Sequence, residues 1–127
     1  MGMEISNVKY LSDVIRQTSF ELHSYLKHGH LEKVYENGLM NRLSIVGLSV
    51  KTQFPIKVFD EDGTELGNYY ADLLVENSII IEIKACRALT EEHTAQILGY
   101  IKATGYEHGI LVNFGAPRLQ VKKYILN

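Results

Sequence analysis

Ser78-Ile79-Ile80-Ile81-Glu82-Ile83-Lys84-Ala85 is the stretch from which the rest of this chain can be read. Four isoleucines make it apolar on both sides of an extended backbone, the pattern of a strand covered on both faces. Glu82 and Lys84 lie two apart, so they point to the same face. Charges in such a strand lose on the order of several kcal/mol per ion in desolvation unless they are partnered. The preceding segment offers a partner. Asn68 to Val75 reads as a strand, and Glu76-Asn77-Ser78 as a three-residue hairpin loop that sets Val75 opposite Ile79. Counting back places Asp72 opposite Glu82, with Cβ atoms about 4.5 to 5.5 Å apart, and Tyr70 opposite Lys84.

Two carboxylates that close repel, so one carries a proton or a cation sits between them. A hard divalent ion suits the second solution: Mg²⁺, with Mn²⁺ as its substitute, takes one or two carboxylates and keeps waters for phosphate oxygens. The neighbouring lysine then holds a phosphate or orients the attacking water. These are the parts of metal-assisted phosphodiester hydrolysis. The plainer reading makes Glu82 and Lys84 an ion pair on a half-exposed strand with Asp72 facing solvent. The convergence of three charged residues on one spot weighs against it.

Outward from the hairpin, Leu11, Ile15, Leu22 and Leu26 recur at helical spacing and predict a helix over about residues 7 to 27, with Asn7 as N-cap and Gly29 as stop. Tyr35, Leu39, Leu43 and Val46 predict a second helix from Glu32, closed by Gly47. Leu48 to Asp60 turns to period-two alternation, with Pro55 marking an edge position or a bulge and Asp60-Glu61-Asp62-Gly63 a turn. Thr90 caps a helix over about residues 91 to 104 that Gly105 ends. Gly109 to Phe114 and Leu119 to Leu126 complete a mixed sheet.

Composition sets the bounds. A chain of 127 residues with 46% apolar and 22% charged residues has enough to bury for one folded domain, spanning residues 1–127. No apolar run exceeds three residues and no basic segment precedes an apolar one, so neither a membrane span nor a signal peptide is expected, and a cytoplasmic location follows by default. Cys86 is the sole cysteine, which excludes an internal disulfide and a cysteine metal cluster and leaves it as a packing residue. A net charge of −2 argues against coating nucleic acid by charge alone, unless Lys84, Arg87, Lys102, Arg118, Lys122 and Lys123 gather locally.

Asp72 followed by Glu82-Ile83-Lys84 resembles the signature of the PD-(D/E)XK nuclease superfamily, an acid on one strand and acid-x-lysine on the next, with Ala71 at the nominal proline. Gly29-His30-Leu31-Glu32-Lys33-Val34-Tyr35 is similar to the motif of its small GxxExxY proteins, and the blocks Tyr70 to Val75, Glu82 to Ala85 and Gln96 to Gly105 follow in the same order. Tyr70, where the family has a basic residue, and His30, in a usually tighter turn, depart from the pattern. The resemblance implies a restriction-endonuclease-like α/β core, a central mixed β-sheet flanked by helices. It implies Mg²⁺-dependent cleavage of nucleic acid, DNA first, with Asp72, Glu82 and Glu32 at the metal and Lys84 at the water.

Gln96 and Tyr100 would match the QxxxY feature of recombination-type exonuclease domains and position substrate. Each of these residues has a plainer account. An acid in a first helical turn answers to the helix dipole at about 0.3 to 1 kcal/mol, and Gln96 with Tyr100 would serve as the polar flank of an amphipathic helix. His93 on the same face reads as a cap or surface residue, outside the metal set. The rival function is a non-catalytic accessory protein that uses the fold to bind nucleic acid or a protein; a third is hydrolysis of a small phosphoester. A chain this small has little room to grip a duplex, which points to a homodimer or a helper protein.

Overall fold

The computed structural model describes residues 7–126. Helix α1 (Val8–Leu26) begins where Asn7 accepts from the Lys9 and Tyr10 amides, as the cap assignment anticipates. It ends earlier than the glycine suggests, because Lys27 already leaves the helix at φ 63° and Gly29, at φ 117°, lies in the following loop. Helix α2 (Glu32–Ile45) buries Tyr35, Leu39 and Leu43. Val46, expected on that face, is instead the exposed C-cap residue. The two helices pack closely at Gly38, where an added Cβ would sit 2.9 Å from the Leu22 side chain.

Strands β1 (Val50–Phe59), β2 (Glu65–Val75) and β3 (Ile79–Lys84) run antiparallel to their neighbours. Helix α3 (Glu91–Thr104) then crosses over to β4 (His108–Asn113), parallel to β3, and β5 (Gln120–Ile125) closes an antiparallel pair with β4. The sheet order is β1-β2-β3-β4-β5, a mixed sheet with β3 at its centre. Pro55 lies on edge strand β1, where one side of the backbone has no sheet neighbour to bond. The expected turn at Asp60 to Gly63 is present, but β2 begins at Glu65 rather than Asn68, since pairing resumes at Phe59–Glu65 across a register shift.

Each face of β3 has its own cover, which explains the nearly continuous isoleucines. Ile79, Ile81 and Ile83 join Leu11, Ile15, Tyr35, Leu39 and Phe114 beneath α1 and α2. Ile80 faces the other way, with Leu74, Ala71 and Tyr100 of α3. Thr90 and His93 form a reciprocal capping box at the start of α3, and Gly105 ends it in the left-handed conformation. None of the helices among the described residues is long and apolar enough to cross a membrane.

The chain leaving β3 is clamped by Asn113, which is fully buried. Its Oδ1 accepts from the Cys86 and Gly115 amides, and its Nδ2 donates to the Cys86 carbonyl and to Gln120 Oε1. Gly115 passes so close that a Cβ would overlap the Ala85–Cys86 backbone. Buried donors left without acceptors cost about 1 to 3 kcal/mol each. Asn113→Leu is therefore expected to lower unfolding free energy in urea by more than about 2 kcal/mol, and Gly115→Ala by about 1 to 3 kcal/mol from forced overlap. Wild-type stability in both variants would contradict the clamp.

Candidate active site

The β2–β3 ladder pairs Val75 with Ile79, Leu74 with Ile80 and Leu73 with Ile81, and there it stops. At the next position side chains replace carbonyls. The Asp72 N–H donates to Glu82 Oε2 at 2.8 Å, and the Ile83 N–H donates to Asp72 Oδ2 at 2.7 Å. The strands fork, and each carboxylate accepts an amide of the other strand. Asp72 thus stands level with Glu82 as the hairpin count requires, but Tyr70 does not face Lys84. Beyond the fork Tyr70 pairs only with Pro55 of β1, while β3 continues its pairing with β4 through Lys84–Asn113.

Asp72 is also where β2 changes faces. Leu73 and Val75 pack under α1 and α2, whereas Ala71 and Leu74 both belong to the cluster on the α3 side, so strict alternation fails between them. Strand β1 changes with it: Gln53, between the Thr52–Leu73 and Phe54–Ala71 pairs, has φ 49°, an uncommon value for a side-chain-bearing residue. Its amide donates to Glu36 Oε2 at 3.0 Å. The fork can therefore be reached by residues from both layers of helices.

The electrostatics follow from burial. Glu82 is 4% exposed, and its carboxyl is pushed up to about 8, first by desolvation and then by the charge of Asp72. Asp72 is raised to about 6 by desolvation, opposed by the Ile83 amide and reinforced by Glu36 and Glu32. Lys84 pulls both down, but too weakly to offset the burial. Its Nζ donates to Gln96 Oε1 at 2.9 Å. Tyr100, buried beside the pair, is pushed up to about 12 by burial and then by Glu82 and Asp72, so its hydroxyl stays protonated.

Glu32 is exposed and acts on the pair through its charge. Among the described residues no three His, Cys, Asp or Glu side chains group closely enough to hold an ion, so Glu32 does not complete a three-acid cluster with Asp72 and Glu82. The acid nearer in influence to Asp72 is Glu36, one turn further along α2, 4% exposed and bonded by Lys33 Nζ and Gln53 Nε2, both at 3.0 Å. The sequence reading passed over it, although its spacing of four from Glu32 was the available signal. Tyr35 is structural: its hydroxyl donates to the Lys27 carbonyl at 2.6 Å and accepts from the His30 amide, and its ring stacks on Phe114 at 4.8 Å. It sets where α2 starts, and so where both acids stand.

His93 Nδ1 accepts from the Thr90 amide, the cap role expected of it. Cys86 lies beyond β3 with its thiol toward the Ala88 carbonyl. Lys102, Arg118, Lys122 and Lys123 do not share one patch. Lys102 lines a cleft on α3, Arg118 a separate hollow by α1, and consecutive Lys122 and Lys123 point to opposite faces of β5. What the fork presents is a pair of hard oxygen ligands, each with its second oxygen outside the crossed bonds, beside an amine held by Gln96. Such a donor set fits a Mg²⁺-like cation that keeps most of its waters.

Three comparisons with known proteins bear on this geometry. No curated protein matches the chain. Among solved structures, the crystal structure of SSO0001 superposes with a TM-score of 0.60 at 24% identity, over 75% of this chain and 50% of that one. The likeness concerns the fold, and this chain spans about half the length of that protein. The sheet and its flanking helices form a restriction-endonuclease-like α/β core. Residues 9–124 match the profile of the PD-(D/E)XK nuclease superfamily. With a match over nearly its whole length, this chain belongs to the PD-(D/E)XK nuclease superfamily.

Proposed function

We propose that the protein hydrolyses phosphodiester bonds of nucleic acid, DNA in the first instance, with Mg²⁺ or Mn²⁺ bound at Asp72 and Glu82. The observation that carries this reading is the buried carboxylate pair at the fork, Asp72 and Glu82, each bound through one oxygen to an amide of the other strand. A divalent ion there supplies Lewis-acid polarisation of the phosphate and a water of lowered pKa. Asp72 and Glu82 hold that charge; their crossed bonds to backbone amides fix where it can be held. Lys84, kept in place by Gln96, orients the attacking water or the phosphate. Tyr100, protonated throughout the physiological range, donates to substrate oxygen, and Glu32 and Glu36 bring further negative charge to the metal side. Gly29 to Tyr35 supports placement among the small GxxExxY proteins of the superfamily.

Millimolar Mg²⁺ or Mn²⁺ is expected to raise the melting temperature of the wild-type protein, and Asp72→Asn and Glu82→Gln to abolish the rise. Cleavage of DNA with the metal present should fall at least about 100-fold in Asp72→Ala, Glu82→Ala and Lys84→Ala. Binding of DNA with no metal-dependent shift and no cleavage would instead identify a non-catalytic member of the fold.

Metal-free stability has a definite pH dependence. Both carboxyls have folded pKa values, about 6 and about 8, above their ordinary 3.8 and 4.5, so the folded state binds more protons than the unfolded one. Their contribution is complete below about pH 4 and is lost as pH rises through 6 and then 8. Denaturation in EDTA should show this decline, and Glu82→Gln should flatten its upper half. A metal-free protein whose stability rises from pH 6 to pH 8 would contradict the assignment.

A further inference from the structure

Beside the fork, between the β1–β2 hairpin and α3, lies a cleft of about 710 Å³, within the range of about 300 to 1,000 Å³ typical of cavities that hold one small ligand. Its walls are aromatic. Tyr69, 51% exposed, stands 5.6 Å from the ring of Tyr100, and Phe59, 56% exposed, rises from the hairpin. Its floor is bare: Gly99 of α3 meets nothing within 4 Å of where a Cβ would be. Its rim is cationic, with Lys102 on the helix and Lys57 on the strand, the latter only loosely engaged by Glu65 at 3.7 Å. Gln96, which bonds Lys84, and Tyr100, which feels both acids, line it too, so the cleft is continuous with the fork.

An aromatic slot with a basic rim suits a flat π-system carried on a phosphate backbone. In a duplex the bases are paired and stacked and offer no free face, so only an unpaired base can enter. We propose that this cleft seats an unpaired nucleobase of a single-stranded polynucleotide on Tyr69, with Lys57 and Lys102 meeting the flanking phosphates. Placing the adjoining phosphodiester at Asp72 and Glu82 rests on the nuclease reading; seating the base does not.

Fluorescence anisotropy in EDTA, where strands stay uncut, tests this with short labelled oligo(dT), oligo(U) and a duplex of equal length. Single strands are expected to bind at least about tenfold more tightly than duplex, and the better of the first two names DNA or RNA. Tyr69→Ala should weaken binding by about 5- to 150-fold, the range for losing one base stack. Gly99→Leu should fill the cleft with a similar loss, yet melt no lower than the parent, because leucine is the better helix former and its Cβ meets no neighbour within 4 Å. Duplex binding as tight as single-strand binding, no binding of single strands, or unchanged affinity in Gly99→Leu would overturn the proposal. Cleavage by wild-type protein with Mg²⁺ that is indifferent to Gly99→Leu would remove the base site and leave the nuclease reading standing. Gly99-dependent binding without cleavage would do the reverse.

Discussion

The crossed hydrogen bonds at the β2–β3 fork hold two acids side by side where two strands part. Two backbone amides, Asp72 N–H and Ile83 N–H, would lose their partners when the strands separate, and the two carboxylates supply them. Buried donors demand acceptors, so the acids are held by the same requirement that holds a sheet together. The cost is two acids in a poorly solvated place, one of them nearly sealed. Their carboxyls are raised by that burial and by their mutual repulsion.

The surrounding structure makes the fork rigid. Strand β3 is covered on both faces, by α1 and α2 on one and α3 on the other, and Glu82 is buried within it. Asn113 and Gly115 pin the chain after Lys84, and the Lys84–Gln96 bond ties that lysine to a helix whose start is fixed by a capping box. Stacked on Phe114, Tyr35 fixes α2 and with it Glu32 and Glu36. Such a framework holds the charged groups of the fork in one arrangement.

Much of this was legible from residue order. The isoleucine run identified a strand covered twice, and the three-residue loop fixed the register as far as Leu73–Ile81. The fork itself was not legible, because counting assumes that carbonyls go on pairing, and here side chains take over. Tyr70 was misplaced opposite Lys84 for that reason. Glu36 was missed because Glu32 occupies the motif position, and burial, which separates the two, depends on how α2 lies against the sheet. The change of faces at Asp72 and Gln53 has no signature in period-two counting; it is a consequence of the irregular backbone at φ 49°.

The proposed function requires that a proton occupy the pair when no cation does, and that a divalent ion displace it. Calorimetric titration of Mg²⁺ at pH 7 in buffers of differing ionisation enthalpy counts that proton. With carboxyls near 6 and 8, about one proton should be released per ion bound, falling away above pH 8. Binding that releases no proton at pH 7 would mean that the ion and the carboxyl proton do not compete for this pair.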